Sequence, residues 1–188
     1  MLLYSGQEKE YKQAKIKAAE ILGVKVYPSN REVADELDRL ADEIEGSSRR
    51  SLLVDMRREA LKIMEVLEKF NPLVVGSVWR GTVNRNSDID IVVFTDFPQR
   101  VKDLLVEAGY KIEYEEHSVT VKNGERESHF HLHLTLSSGR EVDLSIKPSE
   151  ERHRKVICEI YGDEVKGLDL SGLRSILKSD PLRRFVPQ

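Results

Sequence analysis

The chain has 188 residues, of which 39% are hydrophobic and 34% charged, enough to bury one sizeable core and to expect one catalytic-sized domain with at most a small appendage. No stretch approaches the length of a membrane span, and Met1 to Gly6 lead straight into a charged helical run with no apolar signal core, so a cytoplasmic protein with no membrane partner is the expectation. A formal net charge of -3 speaks against wrapping of nucleic acid by the whole surface, although a local basic patch could still hold RNA or DNA.

The first seventy residues read as helices. One runs from about Gln7 to Leu22 and stops at Gly23; a second follows the Ser29–Glu32 capping box, with Val33, Leu37, Leu40, Ala41 and Ile44 at helical spacing. A third, from about Ser48 to Phe70, carries Leu53, Met56, Ala60, Ile63, Met64 and Leu67 and ends at Asn71-Pro72. Residues 1–70 are therefore expected to form an N-terminal helical region.

From Leu73 short apolar runs, turns and helices alternate, the pattern of a sheet with helices packed against it. The spacing predicts strands at Leu73 to Val75, Ile89 to Phe94, Tyr110 to Glu115, Ser118 to Lys122, Arg126 to Leu136 and Glu141 to Lys147. Asn123-Gly124 gives a hairpin signal. Helices are expected at Ser77 to Val83, Gln99 to Ala108, Glu150 to Ile160 and Leu170 to Leu177. The lone Cys158 cannot form an internal disulfide and, placed on the expected helix beside Ile157 and Ile160, reads as a buried inert thiol.

The informative stretch runs from Gly76 to Asp90. Gly76 lacks a β carbon, so backbone amides there can approach a phosphate, and Ser77 opens a helix whose free amides and hydroxyl attract anions. Asp88 and Asp90, two apart on a strand, project from one face of the sheet roughly 7 Å apart at the backbone. That separation suits two divalent ions about 3.5 to 4 Å apart. Magnesium, hard and oxygen-seeking, is the expected ion.

A third acid is needed to fix such a pair, and Asp143 is the candidate. In Glu141 to Lys147 the apolar residues alternate, so Asp143, Ser145 and Lys147 share the face away from the core. If Ser137-Ser138-Gly139 is a three-residue hairpin loop, His133 falls directly across from Asp143. His129, His131 and His133 lie in a row on one strand, a poor arrangement for tetrahedral zinc; a solvated face, or for His133 a contact with substrate or with Asp143, fits better. Arg80, one turn after Ser77, could face a phosphate or be an ordinary surface arginine, and Arg85 and Lys147 carry the same two readings.

Gly-Ser, ten intervening residues, Asp-x-Asp and a later strand-borne aspartate together resemble the signature of the DNA polymerase beta-like nucleotidyltransferases, in a minimal, archaeal-type form. The resemblance covers roughly residues 72 to 147. It implies an α+β fold, a palm of mixed sheet with helices on one face spanning residues 71–188 together with the C-terminal helices. It also implies transfer of a nucleoside monophosphate from a triphosphate, ATP by expectation, to an acceptor hydroxyl with release of pyrophosphate. Asp88, Asp90 and Asp143 would be the catalytic ligands of two Mg2+ ions, with Asp143 also helping to activate the acceptor. Gly76, Ser77, Arg80 and Lys147 would hold the triphosphate. The acceptor is left open between a protein side chain, as in antitoxin-type members, a small molecule and an RNA end. A module that binds nucleotides without catalysis is the alternative from another class, although a pure sensor need not keep three like charges together.

Overall fold

A computed structural model describes residues 1–122 and 125–187, with the side chains of 118–129 left aside. The Asn123-Gly124 turn and the side chain of His129 thus lie outside the described residues. Three helices come first: α1 (Tyr11–Leu22), α2 (Asn30–Glu45) and α3 (Ser47–Val66). The capping box at the head of α2 forms as its sequence dictates. Glu32 N donates to Ser29 Oγ at 3.2 Å while Ser29 N donates to Glu32 Oε2 at 2.8 Å, satisfying two amides that the helix itself leaves bare.

The rest of the chain alternates strand and helix: β1 (Leu73–Val74), α4 (Gly76–Arg80), β2 (Ile89–Phe94), α5 (Pro98–Glu107), β3 (Ile112–Lys122), β4 (Glu125–Thr135), β5 (Glu141–Lys147) and α6 (Leu170–Ser179). The five strands form one sheet in the order β1-β2-β5-β4-β3. β2 and β5 run parallel, and the other neighbours are antiparallel. This is the mixed sheet of an α+β fold. Alternation sorts its faces: Ile89, Ile91 and Val93 of β2 and Val142, Leu144 and Ile146 of β5 are buried, while the residues between them point the other way. The buried face packs on α3, α5 and α6 through Leu53, Met56, Ile63, Met64, Val101, Leu105, Leu173 and Ile176, all in one continuous core.

Two expectations change. The two strands expected between Tyr110 and Lys122 are a single strand, β3. The helix expected from Glu150 to Ile160 is absent; after a short 3-10 turn at Ser149–His153 the chain folds back on itself, Ile157 bridging Glu164. Cys158 N donates to Asp163 O and Gly162 N to Cys158 O, both at 2.8 Å, so this backbone finds its partners across a small loop, with Gly162 at its bend. Cys158 is accordingly half-buried on a loop, not sealed on a helix.

Among the described residues no helix is long and apolar enough to cross a membrane.

Candidate active site

A cleft of about 720 Å³ opens at the end of the sheet where β2 begins, with Gly76, Ser77, Asp88 and Asp90 in its wall. Asp88 sits one residue before β2, because ladder pairing starts at Ile89 opposite Val142. Asp90 is the next residue in, and its register partner on the parallel neighbour is Asp143. In-register residues of adjacent strands lie about 4.8 Å apart and point to the same face. Asp143 is therefore on the side of the sheet that carries Asp90.

The three acids feel one another. Burial first, and then the charges of Asp88 and Asp143, push the Asp90 carboxyl up from 3.8 to about 7. Asp88 reaches solvent, yet the protein packed around it raises it too, followed by Asp143 and Glu141, against a lowering by Lys9. Desolvation and like charge both penalise the ionised form, and a divalent cation is the counter-charge that relieves both. Among the described residues no three Asp, Glu, His or Cys side chains are already drawn together tightly enough to grip an ion. Asp143 instead turns to a neighbour, accepting from His131 Nδ1 at 3.0 Å.

That contact differs from the expected one. The hairpin register is as its turn residues specify, with Gly139 left-handed at φ 81° and His133 directly across from Asp143. The hydrogen bond comes from the diagonal neighbour, because side chains lean along the strand. His131 Nδ1 also lies 3.2 Å from Ser145 Oγ, its own register partner. His133 stacks against Tyr114, with ring centroids 4.1 Å apart.

Gly76 is required here for two reasons. Its φ is +60°, and a β carbon at this position would meet Asp90 Oδ2 at 1.9 Å. The glycine thus lets the turn close against the carboxylate. Ser77 follows at the start of α4, which is only five residues long, so a helix dipole adds little. What remains is a hydroxyl: Ser77 Oγ is buried and has no hydrogen-bond partner among the described residues. A buried hydroxyl without a partner is costly, and a ligand oxygen in the cleft would satisfy it.

The other two residues expected on the triphosphate are placed otherwise. Arg80 lines the cleft, but its guanidinium is taken by Asp163 at 3.0 and 2.6 Å and by the Phe185 carbonyl at 2.9 Å, and it stacks on Trp79 and Tyr161. It acts here as a strut. Lys147 shares the face of Asp143 but stands four residues further along β5, roughly 13 Å at strand rise, and lies outside the cleft wall.

Several supports escaped the sequence reading. Arg57 of α3, fully buried, donates to the carbonyls of Val78 at 3.1 Å, Trp79 at 3.0 Å, Pro181 at 2.7 Å and Arg183 at 2.8 Å, clasping α4 to the C-terminal segment. Phe185 N donates to Arg80 O at 2.9 Å, closing the same clasp. Buried Arg49 donates to Val83 O at 2.6 Å, and Glu45 accepts from the Arg85 amide at 3.0 Å, so α2 and α3 fix the loop that leads to Asp88. All of these pair residues far apart in the chain, and only the burial of arginines on an otherwise apolar helix stripe could have signalled them.

A family model described as a nucleotidyltransferase domain matches residues 57–165. No curated protein matches. Among solved structures, Cid1 in complex with the UTP analogue UMPNPP is similar at TM-score 0.38 and 17% identity, over 65% of this chain and 38% of that one. A cytoplasmic RNA terminal U-transferase is similar at TM-score 0.37 and 15% identity, over 60% of this chain and 35% of that one. The match thus spans well under half the length of either.

Proposed function

Because this chain belongs to the nucleotidyltransferase domain family, of the polymerase beta-like kind, we propose that it moves a nucleoside monophosphate from a triphosphate, ATP by expectation, to an acceptor hydroxyl with release of pyrophosphate. The observation that carries the reading is the pairing of Asp90 with Asp143 on parallel neighbours, beside Asp88 and a glycine turn that only a residue without a β carbon can form. Asp88, Asp90 and Asp143 are the proposed ligands of two magnesium ions, which would neutralise phosphate charge when bound.

The protein's own groups do the rest. Gly76 and Ser77 offer backbone amides and the unpartnered hydroxyl to phosphate oxygens. Asp143, oriented by His131 through Oδ1, keeps its second oxygen to take the proton of the acceptor hydroxyl. That hydroxyl oxygen then bonds to the α-phosphorus as the bond to the bridging oxygen breaks, and pyrophosphate departs. Catalysis is mostly positioning and charge stabilisation. The acceptor is a hydroxyl on a protein side chain, a small molecule or an RNA end.

The test combines radiolabelled triphosphate, the purified chain, magnesium and cell lysate, followed by release of pyrophosphate and the class of molecule labelled. Asp88→Asn and Asp143→Asn should abolish release and keep a cooperative melting transition. Full activity in either variant refutes the assignment, and triphosphate binding with no release in any mixture would make the chain a nucleotide sensor instead.

A further inference from the structure

Among the described residues four cations line the cleft, and three of them are already engaged. Arg80 is paired with Asp163, Arg140 donates to both oxygens of Glu59 at 2.9 Å, and Arg85 lies over the Tyr4 ring at 4.8 Å. Lys9 is the fourth. Among the described residues it makes no ion pair, hydrogen bond or ring contact, and it stands in the wall that also holds Ser77 and Asp88. It comes from the ten residues before α1, outside the segment that matches the family.

That segment is fastened to the site. Tyr4 is buried to 2% exposure, its carbonyl accepts from Asn86 Nδ2 at 2.6 Å, and Glu8 pairs with Lys17 at 2.7 Å. The loop that delivers Asp88 and the segment that delivers Lys9 are therefore joined side by side.

We propose that residues 1–10 form a wall of the nucleotide site and that Lys9 is its anion-gripping side chain, holding the terminal phosphates of the triphosphate opposite Ser77. The proposal rests on the nucleotidyltransferase reading of the cleft. A flexible lysine suits this work, because an ammonium can follow phosphate oxygens as they become pyrophosphate. It also supplies what Arg80 and Arg140, held in their own ion pairs, do not.

The experiment is isothermal titration of the full chain with the four magnesium nucleoside triphosphates, then with the di- and monophosphate of the one bound best, in the absence of acceptor. Lys9→Ala should weaken triphosphate binding about tenfold, leave monophosphate binding unchanged and recover in Lys9→Arg. Lys12→Ala, an exposed lysine outside the cleft, serves as the control for general charge and should change nothing. Equal triphosphate affinity in Lys9→Ala and the parent, or an equal loss in Lys12→Ala, overturns the role of Lys9 while the enzyme reading stands. A parent chain that binds none of the four triphosphates overturns both.

Discussion

Replacing Asp90 with Asn should make the protein more stable and inactive, and the size of the gain should depend on pH. Asp90 is held partly buried between two other acids, and its carboxyl is raised from 3.8 to about 7. Each tenfold change in proton affinity is worth about 1.4 kcal/mol, so holding the charge in the folded state costs on the order of 4 kcal/mol at pH 8. The sign follows from proton counts. Between 3.8 and about 7 the folded chain binds more protons at this site than the unfolded chain, so its stability falls as pH rises through that window. Asp90→Asn removes the titration and keeps the shape. In urea unfolding without divalent cations the variant should exceed the parent by on the order of 4 kcal/mol at pH 8 and by under about 2 kcal/mol at pH 5. Magnesium should stabilise the parent and narrow the gap at pH 8. A variant no more stable than the parent at pH 8, or a gap that does not widen from pH 5 to pH 8, would refute the reasoning.

Gly76→Ala places a β carbon 1.9 Å from Asp90 Oδ2 on a backbone with φ +60°, so the carboxylate must swing away; turnover should fall about 100-fold, and a rate within threefold of the parent would contradict the close approach. Arg57→Met leaves the Val78, Trp79, Pro181 and Arg183 carbonyls without their donor and should destabilise the chain by about 3 kcal/mol or more, read as a shift of the urea midpoint; a change under about 1 kcal/mol would show that the clasp matters little. Ser29→Ala removes one half of the capping box and should lower stability by about 1 kcal/mol with the transfer rate untouched.

What the sequence made legible was local. The Gly76-Ser77 turn, the Asp88-Ile89-Asp90 step and the alternation through Glu141 to Lys147 are short-period patterns, and strand geometry converts them directly into a face. Even the register of β4 on β5 could be read, because Ser137-Ser138-Gly139 fixes the count across the turn. Side-chain partners were harder. Arg80 looked available because Asp163 lies 83 residues away, and His133 looked like the neighbour of Asp143 because register names the opposite residue, not the leaning one. The stretch from Glu150 to Ile160 read as a helix, yet its backbone closes on the loop through Gly162. Lys9 carried no pattern at all; only the fold brings it to the cleft.

The Arg57 clasp bears on how this chain can be cut. A fragment reduced to residues 57–165 would keep every acid of the signature and the whole family match, yet it would shed Pro181, Arg183 and Phe185, which grip the short helix behind Ser77. Such a fragment would own the reagents without the bench they stand on: minimal pieces of this chain should be drawn around its carbonyl anchors, whatever the motif boundaries suggest.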